Sequence, residues 1–166
     1  MPNCPYCEEV LSFCDHVLRH EKQAGGKKQW YLIERWKCNK CPTKKLHRAL
    51  PDFLAPYKHY SVDIIADILD DTYNTSEEGY EDYEDYPCDK TKERWKAWIE
   101  MNRTAINGNL KSVGTRLLAL GIALVYSVTD LIEELRKRER LLWLRIIIRG
   151  LYNTGSSLEP FRDGSG

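Results

Sequence analysis

"CPYC" at residues 4–7 and "CNKC" at residues 38–41 are the two stretches whose reading decides the fold. Each is a Cys-x-x-Cys knuckle, which aims two thiolates at one point from a single tight turn. Two knuckles complete the tetrahedral four-sulfur shell that suits Zn²⁺. The chain between Cys7 and Cys38 must then leave that point and come back to it. "FCDHVLRHEK" (13–22) and "QWYLIERWK" (29–37) read as two strands, and Gly25 with Gly26 marks the turn between them. Along the second strand, Trp30, Leu32 and Trp36 fall on one face and Tyr31, Ile33 and Arg35 on the other. The reading is a zinc ribbon: one structural Zn²⁺ held by Cys4, Cys7, Cys38 and Cys41. So small a hairpin takes much of its folding energy from the metal. A redox dithiol would need only one such motif, within a βαβ pattern, and none is visible. Cys14 and Cys88 are then left over, and both are expected to be plain packing residues, Cys14 small and buried. His20, His47 and His59 have no carboxylate or nucleophile at motif spacing and read as solvated or phosphate-facing.

The bulk composition agrees with a folded chain. Of 166 residues, 42% are hydrophobic and 30% charged, which is globular and not disordered. The first fourteen residues carry neither a basic head nor a long apolar run, so no signal peptide is expected. No stretch reaches the ~18 apolar residues of a membrane span. The expectation is a cytoplasmic protein, whose cysteines stay reduced and available to metal. The net charge of zero hides segregation. Residues 1–60 carry eleven Lys/Arg against six Asp/Glu; residues 61–89 carry none against eleven; residues 90–111 carry six against two. Two basic blocks flank an acidic one, an electrostatic footprint for a polyanion.

Beyond the second knuckle, "LHRALPDFLAPYKHYS" (46–61) contains Pro51 and Pro56, which exclude a regular helix. Phe53, Leu54 and Tyr57 give this connector apolar anchors. Ser61 then caps a helix whose apolar face is Val62, Ile65, Ile68 and Leu69. "NTSEEGYEDYEDYPC" (74–88) reads as an acidic loop able to compete with nucleic acid for nearby basic residues. Asp89 is the expected N-cap of the next helix, with Trp95, Trp98, Ile99 and Asn102 on its core face. Leu110, Val113, Leu117, Leu120, Leu124, Val128, Leu131 and Leu135 recur at three- and four-residue spacing, which predicts one long amphipathic helix. A second, more apolar helix follows over residues 141–151, and the two form either an antiparallel hairpin or one long helix. Together they carry more apolar surface than a ribbon can cover, so a homodimer through residues 110–151 is expected, with Leu117, Leu124 and Leu131 near its centre. The fold class is α+β: a zinc-ribbon domain and connector (1–60), a helix-turn-helix-like region (61–106), a C-terminal helical region (107–153) and a tail (154–166).

The Cys4, Cys7, Cys38 and Cys41 knuckles, the Leu50, Pro51, Pro56, Tyr57, Tyr60 and Ser61 tail, and "PCDKTKERWKAW" (87–98) resemble uncharacterised bacterial proteins associated with mobile elements. In those proteins a transposase-like zinc ribbon leads into a helix-turn-helix. One departure is the long acidic connection between the two helices here, where a helix-turn-helix uses about 3–4 residues. The resemblance implies a DNA-binding accessory or regulatory protein of a mobile genetic element. With the charge blocks, it points to Arg35, Lys37, Lys44, Lys45, Lys92, Arg94 and Lys96 as contacts to duplex DNA. The alternative is a protein-interaction module, with the ribbon as scaffold and the C-terminal helices as partner surface. Catalysis is not expected, because two-metal phosphoryl transfer needs separated carboxylates on a rigid frame, whereas these acids crowd into one loop and one helix face.

Overall fold

A computed structural model gives the structure and describes residues 2–23, 27–42, 44, 46–55, 58–72, 87–117 and 121–153, with backbone alone at 117, 152 and 153. The architecture is α+β: a small antiparallel sheet, then a helical body. The sheet runs β1 (Ser12–Lys22), β2 (Lys28–Lys37), β3 (Leu46–Arg48), in that order. β1 and β2 pair along their whole length, placing Leu18 opposite Leu32 and His20 opposite Trp30. The pairing slips once, between Phe13 and Asp15. Such a bulge leaves a residue out of the ladder, and here Cys14 is exposed. This corrects the expectation of a buried Cys14.

Alternation makes both faces of β2 equally apolar in sequence, and only one is covered. Ile33 is buried, while Leu18, Trp30 and Leu32 stay exposed on the open face. What covers the other face is the connector. Leu54 and Ala55 are buried, and the Phe53 ring packs against Tyr31. The Arg19 guanidinium donates to the carbonyls of Ala55 and Lys58. Further on, the connector pairs with the end of β1: the Lys22 amide donates to the His59 carbonyl, and the Ser61 amide to that of Lys22. Pro56 and Tyr57 lie outside the described residues.

The connector ends where helix α1 (Val62–Leu69) begins, with Ser61 Oγ accepting the Ile64 amide at 3.2 Å as expected of an N-cap. Residues 73–86, most of the acidic loop, lie outside the described residues, as do 154–166. Helix α2 (Asp89–Leu117) starts one residue early: the Cys88 carbonyl, not that of Asp89, takes the first-turn amides of Thr91 and Lys92. Cys88 itself is exposed, its Sγ 3.3 Å from Thr91 Oγ1, so it is a helix-start residue and not packing. Trp95, Trp98, Ile99, Asn102, Ile106, Leu110 and Val113 form one buried stripe down α2. That stripe carries the helix unbroken past residues 106–107.

The single long helix expected over residues 110–135 is not formed. The stretch is divided among the end of α2, α3 (Ile122–Ser127) and α4 (Leu131–Arg138), followed by α5 (Trp143–Asn153). Asp130 explains one break. Its carboxylate caps α4 by accepting the amides of Ile132 and Glu133. Asn107, from the middle of α2, accepts the Leu131 amide at 2.7 Å, so two elements stop the chain here. Folding back lets Leu110, Leu124, Leu131, Leu135 and Leu151 bury against α1 and the tryptophans in one core. Arg136 ties this body together. It pairs with Asp70 and Glu133 and lies 4.5 Å above the Trp143 ring.

Candidate metal centre and cationic seam

The two knuckles converge. Cys4 and Cys7 sit in the turn before β1, which ends at Glu8 with φ of 59°; Cys38 and Cys41 sit in the turn leaving β2. The four sulfurs all lie within 4.8 Å of one another, with pairs at 3.4 Å (Cys7–Cys41), 3.5 Å (Cys7–Cys38) and 3.7 Å (Cys4–Cys41). A tetrahedral ion with metal–sulfur bonds of about 2.3 Å needs sulfur–sulfur edges of about 3.8 Å. The residues fit a metal ion in both donor chemistry and spacing. They are the only such group of Cys, His, Asp or Glu among the described residues.

The local electrostatics suit thiolates. The Cys41 amide points at Cys38 Sγ (3.3 Å), and together with the Lys40 amide this draws the Cys38 thiol down to about 7. Neighbouring Cys7 and Cys38 push Cys41 up to about 12, because four sulfurs cannot share negative charge without a cation. Cys4 and Cys38 are buried, and Leu11 and Trp36 pack on them. One further residue belongs to this neighbourhood. His47 Nε2 lies 3.8 Å from Cys4 Sγ, and its ring meets that of Tyr6. The sequence spacing reads His47 as solvated or phosphate-facing. Its position in β3, opposite Trp36, brings it back to the knuckles, and only strand pairing reveals that.

The basic residues expected to meet DNA are distributed, not assembled. Arg35 forms a bidentate pair with Asp15 across the hairpin, which holds the Asp15 carboxyl below its usual range. Lys37 ends β2 beside the metal group, and Lys44 lies exposed just after the second knuckle with φ of 43°. Lys45 lies outside the described residues. On α2, Lys92 pairs with Asp89 at 3.1 Å and Lys96 with Asp71 at 2.5 Å.

Arg94 enters a different arrangement, which sequence spacing did not reveal. It faces Lys58 of the connector, and the Lys58 ammonium sits 5.5 Å above the Trp98 ring. Burial, then the Arg94 charge, lowers the Lys58 pKa from its ordinary value. Further along the connector, burial lowers His59, helped by the charges of His20, Arg19 and Lys22. The Lys22 ammonium lies 5.4 Å above the Tyr60 ring, and Tyr60 meets Trp95 edge-on at 5.2 Å. A seam of cations over aromatic rings thus follows the line where sheet, connector and α2 meet. On the opposite side of the sheet a cleft of about 390 Å³ is lined by Glu21, Tyr31, Asp63 and Arg145. Its polar groups already satisfy one another: Tyr31 donates to Glu21 and Arg145 pairs with Asp63.

Together these features define a four-cysteine metal-binding sheet joined by a packed connector to a helical body. The chain belongs to the family described as Domain of unknown function (DUF6431), whose match spans residues 4–95, more than half of the sequence. That span begins at the first cysteine and ends at Trp95, so it contains the metal group, the connector, α1 and the start of α2. No curated protein and no solved structure matches the chain. No helix among the described residues is long and apolar enough to cross a membrane.

Proposed function

We propose that the protein is a non-catalytic, zinc-dependent DNA-binding protein. The four-thiolate set favours Zn²⁺ in a closed, structural site, and that ion would fix the ribbon against which the connector is laid. The observation that carries the nucleic-acid reading is the seam. Lys58, its ammonium over the Trp98 ring, comes within reach of the Arg94 charge from a separate element, with Lys22 and Arg19 further along. Cations drawn from separate elements to one line are an electrostatic footprint for a polyanion, and a phosphate backbone is such a polyanion. The resemblance to mobile-element proteins with a transposase-like ribbon supports an accessory or regulatory role there. The test is a duplex-DNA titration at two salt concentrations, with zinc content measured on the same sample. Salt-sensitive binding by zinc-loaded protein supports the reading, and no binding at low salt removes it.

A specific observation also favours a self-association surface. Of the leucine stripe, Leu110, Val113, Leu124, Leu131 and Leu135 are buried inside the chain, the side chain of Leu117 and all of Leu120 lying outside the described residues, yet Ile122, Tyr126, Leu141 and Leu142 remain exposed on the helical body, Tyr126 at 80% and Leu141 at 81%. A homodimer within residues 110–151 would use these side chains in place of the buried leucines.

A further inference from the structure

The open face of the sheet carries a row of rings that the DNA reading does not use. His20 sits between two neighbours, Trp30 on β2 and His59 on the connector. The His20 and His59 imidazoles lie parallel, 8° apart in plane, with centroids 4.7 Å apart. Three adjacent segments of backbone are needed to build this row, and the Lys22–His59 backbone pairing holds the third in place. Parallel imidazoles at this distance cannot both carry charge cheaply, because two cations would repel at close range. Their surroundings add to that repulsion.

The groups that face the pair come from every packed element. From β1 come Lys22 and Arg19, the latter held by the Ala55 and Lys58 carbonyls. Glu21, between them in sequence, is buried and accepts the Tyr31 hydroxyl on the other face. From β2 come the Trp30 ring and Lys28, which stands opposite Lys22 in the register. The connector adds Lys58 and Tyr60, and α2 adds Arg94 beside Lys58 and Trp95 beside Tyr60. The charges that act on His59 are those of His20, Arg19 and Lys22, all cationic.

We propose that His20 and His59, with Lys22 beside them, form a phosphate-binding site that takes up a proton when it fills. An oxyanion set against the stacked rings would neutralise the repulsion and favour the imidazolium form, which donates from both ring nitrogens. Filling the site therefore raises the imidazole pKa. By linkage, affinity grows as pH falls through the histidine range and fades above it. The chemistry fits a phosphodiester of nucleic acid or a free phosphate. The first source rests on the DNA-binding reading and the second does not.

The test has two arms, both on the zinc-loaded full chain. In one, inorganic phosphate is titrated while NMR follows the ring signals of His20 and His59. In the other, a labelled duplex is titrated at constant ionic strength at about pH 6 and about pH 8, for the parent and for the His20→Gln/His59→Gln variant. The proposal expects phosphate to move both ring signals and raise their pKa values. It expects duplex affinity to rise towards pH 6, by at most about tenfold per pH unit for each proton taken up. It expects the double variant to lose the rise. Ring signals that respond to phosphate, with no duplex bound, assign the site to free phosphate and sink the DNA reading alone. Duplex binding equal at both pH values, with ring signals indifferent to phosphate, overturns the proposal and leaves the DNA reading standing. The phosphate arm needs no variant, so a misfolded double mutant does not shield the proposal.

Discussion

Replacing Cys38 by serine should release the metal and unfold the sheet end of the protein while sparing the helices. The reason lies in how little else holds that end. Cys38 is fully buried, and among the described residues the cluster around it contains only Cys4 and Leu11 as other buried members, with Trp36 and Cys41 half-covered. Leu11 and the covered part of Trp36 contribute about 2–3 kcal/mol each. A structural zinc ion contributes about 10–16 kcal/mol of apparent binding free energy in small zinc modules. The metal therefore outweighs the local apolar core. Losing one of four thiolates removes about a quarter of that, roughly 3–4 kcal/mol, or about two to three powers of ten in Kd. The helical body has its own core, from Val62 through Leu151, and does not draw on the cysteines. Native mass spectrometry would count the metal, and hydrogen exchange would read protection segment by segment. The account expects no retained metal under mild chelation, exchange at the rate of open chain over residues 4–11 and 38–48, and unchanged protection in α2 and α5. A variant that keeps one metal per chain and full protection at both knuckles would refute the reasoning.

Three further outcomes follow from the helical body and the charge pattern. Asp130→Asn should remove a pH dependence: burial pushes this carboxyl up, but Asn107, the Glu133 amide and Arg103 hold it below the ordinary 3.8. Its contribution is therefore complete above the unfolded value of about 3.9 and lost as pH falls through the lower folded one, so acid melts of parent and variant should converge at low pH; curves that stay parallel would count against the pairing. Tyr126→Ser with Leu141→Ser should turn a dimer into a species of 19.4 kDa by light scattering at tens of micromolar; a parent already at that mass would end the self-association reading. Deleting residues 76–86 removes Glu77, Glu78, Glu81, Asp82, Glu84 and Asp85 and should tighten DNA binding, with an unchanged or weaker Kd arguing against competition by that loop.

The knuckles, strands and connector could be read directly because each is dictated by local chemistry. Cys-x-x-Cys, the alternation on either side of Gly25–Gly26, and Pro51 followed by the Ser61 cap leave few alternatives. Which face of β2 is covered was not readable, since Trp30–Leu32 and Tyr31–Ile33 are equally apolar; the connector decides it through Phe53. Cys14 was misplaced because a one-residue bulge moves a side chain out of the alternation. The 3–4 spacing from Leu110 to Leu135 fits one helix as well as three. Asp130 was the signal that it is interrupted, since Asp followed by Glu133 is a capping pattern. The partner cap from Asn107, distant in sequence, leaves no trace in local spacing. The same holds for His47 beside Cys4, for Lys58 beside Arg94 and for His20 on His59. Each is made by tertiary proximity between residues more than thirty positions apart.

The most direct test of the central claim is the salt dependence of duplex binding for two double variants, Lys58→Ala/Arg94→Ala and Lys92→Ala/Lys96→Ala, beside the zinc-loaded parent. Each phosphate contact adds about 0.9 to the slope of log affinity against log salt. The sequence reading expects Lys92 and Lys96 to reach phosphates; in the structure Lys92 pairs with Asp89 and Lys96 with Asp71, and the Arg94 charge acts on Lys58 of the connector. The account predicts weaker binding to all sequences for both variants. It predicts a slope flattened by up to about two units for Lys58→Ala/Arg94→Ala and by less for Lys92→Ala/Lys96→Ala. Parent-like affinity and slope in the Lys58→Ala/Arg94→Ala variant would contradict it.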